Sequence, residues 1–473
     1  MYRKIFNQIR KDKNLMPEQS TLQKRNKINM LEGTIWDKIL IYAFPLAATG
    51  ILQQLFNAAD IAVVGRFTGS IASLCMAAVG ANTPIVGLIV NLFVGISMGT
   101  NVVVATAAGS DDRKLLKKAS GNSLVIAIVG GILMTIIGEL IAVPLLQSQN
   151  VPNDVLPLAA TYLRIYFAGM PVILLYNFAA AIYRAVGNTK TPLIALTISG
   201  VLNVILNLLF VIGFHMNVDG VAIPTVISNA VSAVFLAIGL FRKNGPFEIK
   251  KSDLKIDKQI FLQIMKIGVP TGIQMAVFAV ANMIIQSAIN SLGTTVMAAS
   301  SAAFNIEVFA YYILNSFSQA CTTFVGQNNG AGNRKRCRQV LKDCILEDVV
   351  CTALSIILIL FVGRQMLAVF NPDTEVVSTG YVRLLWVFSA YIFSMLYENI
   401  AGYLRGFGIS FAPSVLTVIG VCGVRVAWIY TIFQRQHTFT SILAAYPVSM
   451  ASTAILLSIA LFVMRPSEGK YWD

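Results

Sequence analysis

Beyond a polar, basic first stretch, the chain is a succession of long apolar runs separated by short polar ones. The runs fall at about 38–64, 72–104, 119–146, 157–184, 191–213 and 218–241. After a basic interval they resume at 259–290, 295–327, 339–369, 376–404, 410–434 and 440–464. A helix crosses the roughly 30 Å hydrocarbon core of a bilayer with about 20 residues. Every run is that long, and all are too long for tilted barrel strands of about ten residues. Backbone in lipid has no water to bond with, so each run must satisfy its peptide groups internally as a helix. The pattern predicts an all-α polytopic membrane protein with twelve transmembrane helices.

The polar intervals alternate in charge. One set carries Arg113, Lys114, Lys117 and Lys118, then Arg184 and Lys190. It continues with the six cations of 242–258, with Arg334, Lys335, Arg336, Arg338 and Lys342, with Arg405, and with Arg465 and Lys470. The other set holds little more than Arg66, Arg364 and Arg435. Lysine and arginine collect in cytoplasmic loops, so both termini are expected in the cytoplasm, which requires an even number of crossings. Residues 1–36 read as a cytoplasmic basic tail without a signal-peptide core, 242–258 as a cytoplasmic linker, and 465–473 as a cytoplasmic C-terminal tail.

The two halves repeat. Tyr183-Arg184-Ala-Val-Gly187-Asn-Thr-Lys-Thr-Pro192 aligns with Leu404-Arg405-Gly-Phe-Gly408-Ile-Ser-Phe-Ala-Pro413 at an offset of 221. Gly109 and Arg113 match Gly330 and Arg334 at the same offset. Pro45 and Asn57 match Pro270 and Asn282 at 225, and Pro224 matches Pro447 at 223. Each repeat has six spans, so both begin on the same membrane side. They form parallel repeats related by a pseudo-two-fold axis along the membrane normal. The expected domains are an N-terminal six-helix lobe at 37–241 and a C-terminal one at 259–464, with a cavity between them.

Composition adds to this picture. Hydrophobic residues make up 56% of the 473 and charged ones 12%, about half the charged share of a soluble domain. The net charge of +14 follows from the cytoplasmic loops rather than from a nucleic-acid surface, and no nucleic-acid partner is expected. The six cysteines form no CxxC pair, and His215 and His437 are the only histidines, so no metal site is expected. The chain has no GxxxxGK[ST], HExxH or GxSxG. It therefore reads as a protein that is not an enzyme, needs no cofactor and draws its energy from an ion gradient.

Ionisable and strongly polar side chains at bilayer depth are costly, which makes each a functional candidate. Gln53, Asn57 and Asp60 lie on one face of the first span, with Asp60 the carboxylate that can take up and release a proton. Ser199, Asn203 and Asn207 line a face of the fifth, and Thr225, Asn229 and Ser232 a face of the sixth, where they can meet Asp60. The alternative for these amides and hydroxyls is ordinary interhelical glue. In the second half Glu307, Tyr311 and Asn315 form a stripe on span 8, and Gln274, Asn282 and Gln286 lie on span 7. Glu398 and Arg425 lie on spans 10 and 11. Glu307 is either a cation-binding group or the partner of a buried arginine. Arg164 and Arg383 occupy equivalent places in spans 4 and 10, where snorkelling to the interface is expected.

These residues together resemble the multidrug and toxic compound extrusion (MATE) family, over about 34–464. The resemblance rests on Asn57-Ala-Ala-Asp60 followed by Val-Val-Gly65-Arg66, on Val325-Gly-Gln-Asn-Asn-Gly-Ala-Gly332 with Arg334, on the two repeat segments above, and on Gly220-Val-Ala-Ile-Pro-Thr225. It resembles the bacterial branch similar to DNA-damage-inducible protein F. It implies an antiporter of the bacterial plasma membrane that exports organic, drug-like, often cationic compounds in exchange for H⁺ or Na⁺. It implies coupling at Asp60 with Asn203 and Thr225. The family's span 5 acid falls on Asn207, which favours H⁺ over Na⁺. Gln53, Asn57, Gln274, Asn282, Glu307 and Tyr311 are cavity candidates. The expected partners are a small organic molecule and the lipid bilayer, with the protein working as a monomer. A flippase for a lipid-linked or polysaccharide precursor is the alternative, as is a receptor without transport. Duplicated lobes and few central cations argue against both.

Overall fold

The computed structural model describes residues 28–243 and 247–469, and every regular element among them is helical. In chain order these are α1 Trp36–Phe67, α2 Ala72–Gly109, α3 Arg113–Ser148, α4 Leu156–Ala168, α5 Met170–Ala185, α6 Lys190–Gly213 and α7 Asp219–Phe241. The second repeat follows as α8 Lys258–Asn290, α9 Thr294–Gly330, α10 Arg334–Phe370, α11 Thr374–Ser389, α12 Tyr391–Gly406, α13 Phe411–Gln436 and α14 Phe439–Met464. Ten of these are long and apolar enough to cross a membrane alone. The pairs α4/α5 and α11/α12, bent by 49° and 46°, bring the possible crossings to twelve. The sequence pattern shows each pair as one unbroken run. The breaks fall at Gly169 and Ala390, which are equivalent at the 221 offset. Pro171 lacks an amide hydrogen for the turn after Gly169; the second break has no proline.

Three helix starts, those of α3, α8 and α11, are fixed by aspartate caps. Asp112 accepts from Leu115 N at 2.9 Å, Asp257 from Gln259 N at 3.0 Å, and Asp373 from Glu375 N at 2.8 Å. These use carboxylates to satisfy first-turn amides that have no helical partner. With 38 residues, α2 extends about 57 Å, well past the hydrocarbon core, so its end reaches the membrane surface. Outward side chains are apolar: Phe361 is 83% exposed and Phe462 70%, a surface that suits lipid and not water.

Two hydrophobic cores run through the molecule, and they trade the first halves of their leading helices. Val63 and Val64 at the end of α1 join the core built on α2 to α7, as do Ile260, Ile264 and Ile267 at the start of α8. Ile39, Tyr42 and Leu46 at the start of α1 join the core of α9 to α14, together with Ile285 and Ile289 at the end of α8. The stretch from Ile28 to Ile35, which the polarity pattern assigns to the tail, is tied down as well. Met30 and Ile35 are buried, and the Met30 carbonyl accepts from Asn328 and Arg336.

The lobes touch most closely where α2 crosses α8. A Cβ on Gly95 would meet the backbone of Gly272, and one on Gly99 the backbone of Ile264 and Gly268. Glycine four residues apart on both helices allows backbone-to-backbone approach, as in membrane helix pairs generally. Gly109 and Gly330 do the same against α9 and α2 backbone. Polar bridges reinforce this end. The Tyr42 hydroxyl lies 3.1 Å from the Arg184 carbonyl and 2.9 Å from the Thr323 hydroxyl, which is 2.9 Å from Asn101 Oδ1. Gln327 donates to the Ala185 carbonyl at 2.7 Å. Toward the other ends of α2 and α8, Ile85, Leu88, Met283 and Ile284 line an apolar cavity of about 690 Å³ with Tyr430 and Phe433 of α13.

Candidate functional site

Asp60 lies in the second half of α1, facing α6 and α7. Asn207 Nδ2 donates to its Oδ1 at 2.6 Å, and Thr225 Oγ1 lies 3.4 Å from its Oδ2. Asn203 completes the group. Its Nδ2 donates to Thr225 Oγ1 at 3.3 Å, and its Oδ1 accepts from Asn207 at 3.3 Å. The four residues expected to gather from three separate spans therefore form one connected network. They meet because Asn203 and Asn207 are one turn apart on α6, while Thr225 follows Pro224 at the start of α7. The last turn of α6, Leu209–Gly213, is a π-turn, a distortion that recurs at functional sites.

The network has a definite chemical sense. Asp60 has no basic side chain within 4 Å among the described residues. The Thr225 hydroxyl lies within donating distance of both the Val221 carbonyl, at 2.8 Å, and Asp60 Oδ2, at 3.4 Å. Asn207 turns its NH₂ to the carboxylate and leaves its own Oδ1 buried without a partner.

Gln53 and Asn57 share the Asp60 face of α1 but are exposed, and neither side chain joins the network. Asn282 is likewise exposed, and Tyr311 is 38% exposed. Gln274 is buried beside Arg405, whose Nη2 lies 3.5 Å from its Oε1. Glu307 is the partner of a buried arginine. Arg383 Nε and Nη2 donate to its two oxygens at 2.7 and 3.0 Å, and Arg383 also bonds Ser300. The snorkelling expectation for Arg383 is therefore corrected: the side chain turns inward because a carboxylate is there to meet it. Arg164, its counterpart, stays exposed 3.6 Å from Glu139.

The second repeat holds a polar group that sequence reading passed over. Asp348 on α10 accepts from Thr352 Oγ1 at 2.7 Å and from Asn399 Nδ2 at 2.6 Å. The available signal was a pair of acids, Glu347-Asp348, inside an apolar run, with threonine one turn later.

The MatE family model matches residues 45–209 and 270–431, well over half of the chain. The chain belongs to the MATE family. It is 25% identical over 445 residues to Probable multidrug resistance protein YoeA of Bacillus subtilis (strain 168), covering 92% of this chain and 94% of that protein. It is 25% identical over 420 residues to Probable multidrug resistance protein NorM of Thermotoga maritima, covering 87% and 86%. Its fold matches the outward-facing conformation of a multidrug resistance MATE transporter of the MOP superfamily. The TM-score there is 0.86 at 20% identity, over 96% of this chain and all of that one. The expected architecture, a two-lobed all-α membrane protein with twelve crossings, is that of this MATE fold.

Proposed function

We propose that this MATE protein is a secondary antiporter that exports organic, drug-like compounds from a bacterial cell in exchange for H⁺ taken up at Asp60. The observation that carries the proposal is a membrane-depth carboxylate held only by Asn207 and Thr225, with no cation partner within 4 Å among the described residues. Such a group can take up and release a proton as its surroundings change. Protonation removes the charge that Asn207 bonds, which frees α1 to shift against α6 and α7. The YoeA and NorM relatives, named as multidrug resistance proteins, support the substrate class. The basic loops at Arg113 and Arg334 follow the helix ends where Gly109 and Gly330 hold the lobes together. With those loops in the cytoplasm, this conformation is closed inside and has its cavity toward the outside.

The test is dye efflux from proteoliposomes under an imposed pH gradient or Na⁺ gradient. Efflux should follow the pH gradient and vanish in Asp60→Asn. Efflux driven by Na⁺ alone, or full activity in the variant, overturns the reading.

A further inference from the structure

The two lobes differ in polarity at equivalent places. In the first, α1 brings Asp60 to a turn of α6 carrying Asn203 and to the turn of α7 around Pro224. At the 225 offset of the leading helices, Asp60 corresponds to Ile285, so the second lobe has no carboxylate at that place. Its α13 contains two π-turns, Val418–Gly423 and Ile429–Phe433. The second overlaps the place of the π-turn in α6, which maps to 430–434 at the 221 offset. The first adds a residue, which brings Arg425 to the place of Asn203, with an offset of 222. The turn of α14 around Pro447 supplies Tyr446 and Ser449.

Arg425 is 8% exposed. Its Nε donates to Ser449 Oγ at 2.9 Å, and its guanidinium lies 4.4 Å from the centre of the Tyr446 ring. Arg383 approaches the same ring at 5.5 Å, but Glu307 neutralises Arg383 in a two-point pair. No carboxylate among the described residues comes within 4 Å of Arg425. Among the described residues its two terminal nitrogens donate to no acceptor, and neither is among the enclosed unpartnered atoms. Ile429, one turn further along α13, lines the apolar cavity between the lobes. A buried cation without a counter-charge is costly. Held by serine and an aromatic face, it presents a planar pair of donors suited to two oxygens of one anion.

We propose that Arg425, positioned by Ser449 and Tyr446, is an oxyanion subsite of the second lobe that takes a carboxylate, sulfonate or phosphate. Resting on the transporter reading, this makes the preferred cargo zwitterionic: an apolar body with a cationic centre and an oxyanion, the latter drawn to Arg425. The same chemistry is offered by an anionic lipid headgroup, so the test has two arms. In phospholipid-free detergent, the full-length protein is titrated with a rhodamine carrying a free benzoate and with its methyl ester, read by fluorescence anisotropy. The benzoate should bind more tightly to wild type. Arg425→Ala should weaken it about tenfold, the worth of one charge-assisted contact, and leave the ester within about twofold. Arg425→Lys, which keeps the charge and loses the fork, should fall between. In the second arm, phosphatidylglycerol is added to the same micelles and its retention is compared between wild type and variants. A selective loss in either arm supports the subsite and identifies the source of the oxyanion. Benzoate bound no better than ester by wild type, with no Arg425-dependent lipid retention, overturns it without requiring any variant to fold. Equal loss of both dyes in Arg425→Ala also overturns it, as the mark of a structural residue. Wild-type efflux of the ester dye reports separately on whether the protein transports at all.

Discussion

Glu307 and Arg383 form a two-point ion pair inside the second lobe, with both side chains almost wholly buried. Desolvating two charges consumes most of what their attraction returns, but removing one strands the other. Glu307→Gln should therefore lower stability by about 3–5 kcal/mol, seen as a large drop in melting temperature in detergent. Replacing both with leucine should recover most of that loss. A double variant as unstable as the single one would show that the pair contributes more than mutual neutralisation. Melting curves of the three proteins decide it.

Asp60 and Asn207 carry the second prediction. The family resemblance places an acid where Asn207 stands, and the present amide approaches Asp60 at 2.6 Å. Asn207→Asp would put two carboxylates in contact. Such a pair either shares one proton or binds a cation between its oxygens. Binding of ²²Na⁺ to the purified variant should rise above that of wild type, and a Na⁺-driven component of efflux should appear. Unchanged Na⁺ binding would mean that the first lobe lacks the remaining oxygen ligands.

Much of this was legible in the chain. The twelve apolar runs, the loop charges and the repeat offsets specify the spans, because lipid imposes one length and one backbone solution on all of them. Asp60, Asn203, Asn207 and Thr225 were legible because each breaks an apolar face at helical spacing. Contacts between lobes were not. Tyr42 looks like an ordinary aromatic in an apolar run, and nothing local says that its hydroxyl bridges to Thr323. Glycines 95, 99, 268 and 272 have a spacing that marks close packing, but not which helix is the partner. The bend at Ala390 has no proline to announce it. Arg383 reads as a snorkelling side chain because a lone arginine near a span end gives no sign of a carboxylate 76 positions away in the chain.

The glycine crossing gives a conformational prediction. Gly99 faces the backbone of Ile264 and Gly268 with no room for a side chain. Gly99→Leu must push α2 from α8 at the end where the lobes meet, while the cavity end of the same helices is unaffected. Spin labels on the two helices should report a longer separation at the glycine end than in wild type. The pair of labels flanking Leu88 and Ile284 should keep or shorten theirs. An unchanged distribution at both ends would mean that the helices slide rather than separate, and that the glycines do not hold this state.

Tyr42 tests how much of that closure is polar. It belongs to α1, packs in the core of the second lobe, and reaches the Arg184 carbonyl of the first. It thus makes a hydrogen bond that should exist only while this end is closed. Tyr42→Phe keeps the ring against Phe324, 5.7 Å away and edge-on, and removes only the hydroxyl. A net hydrogen bond contributes about 1 kcal/mol, and the Thr323 hydroxyl and Arg184 carbonyl keep their bonds to Asn101 and Gly187. The closed population should fall about fivefold relative to the open one. Overall melting should change little, because lobe cores are intact. Single-molecule energy transfer between dyes on the loops after α2 and α9 measures that ratio directly. If the ratio holds and the melting temperature drops instead, Tyr42 serves the lobe core and the latch lies with Gln327 and the glycines.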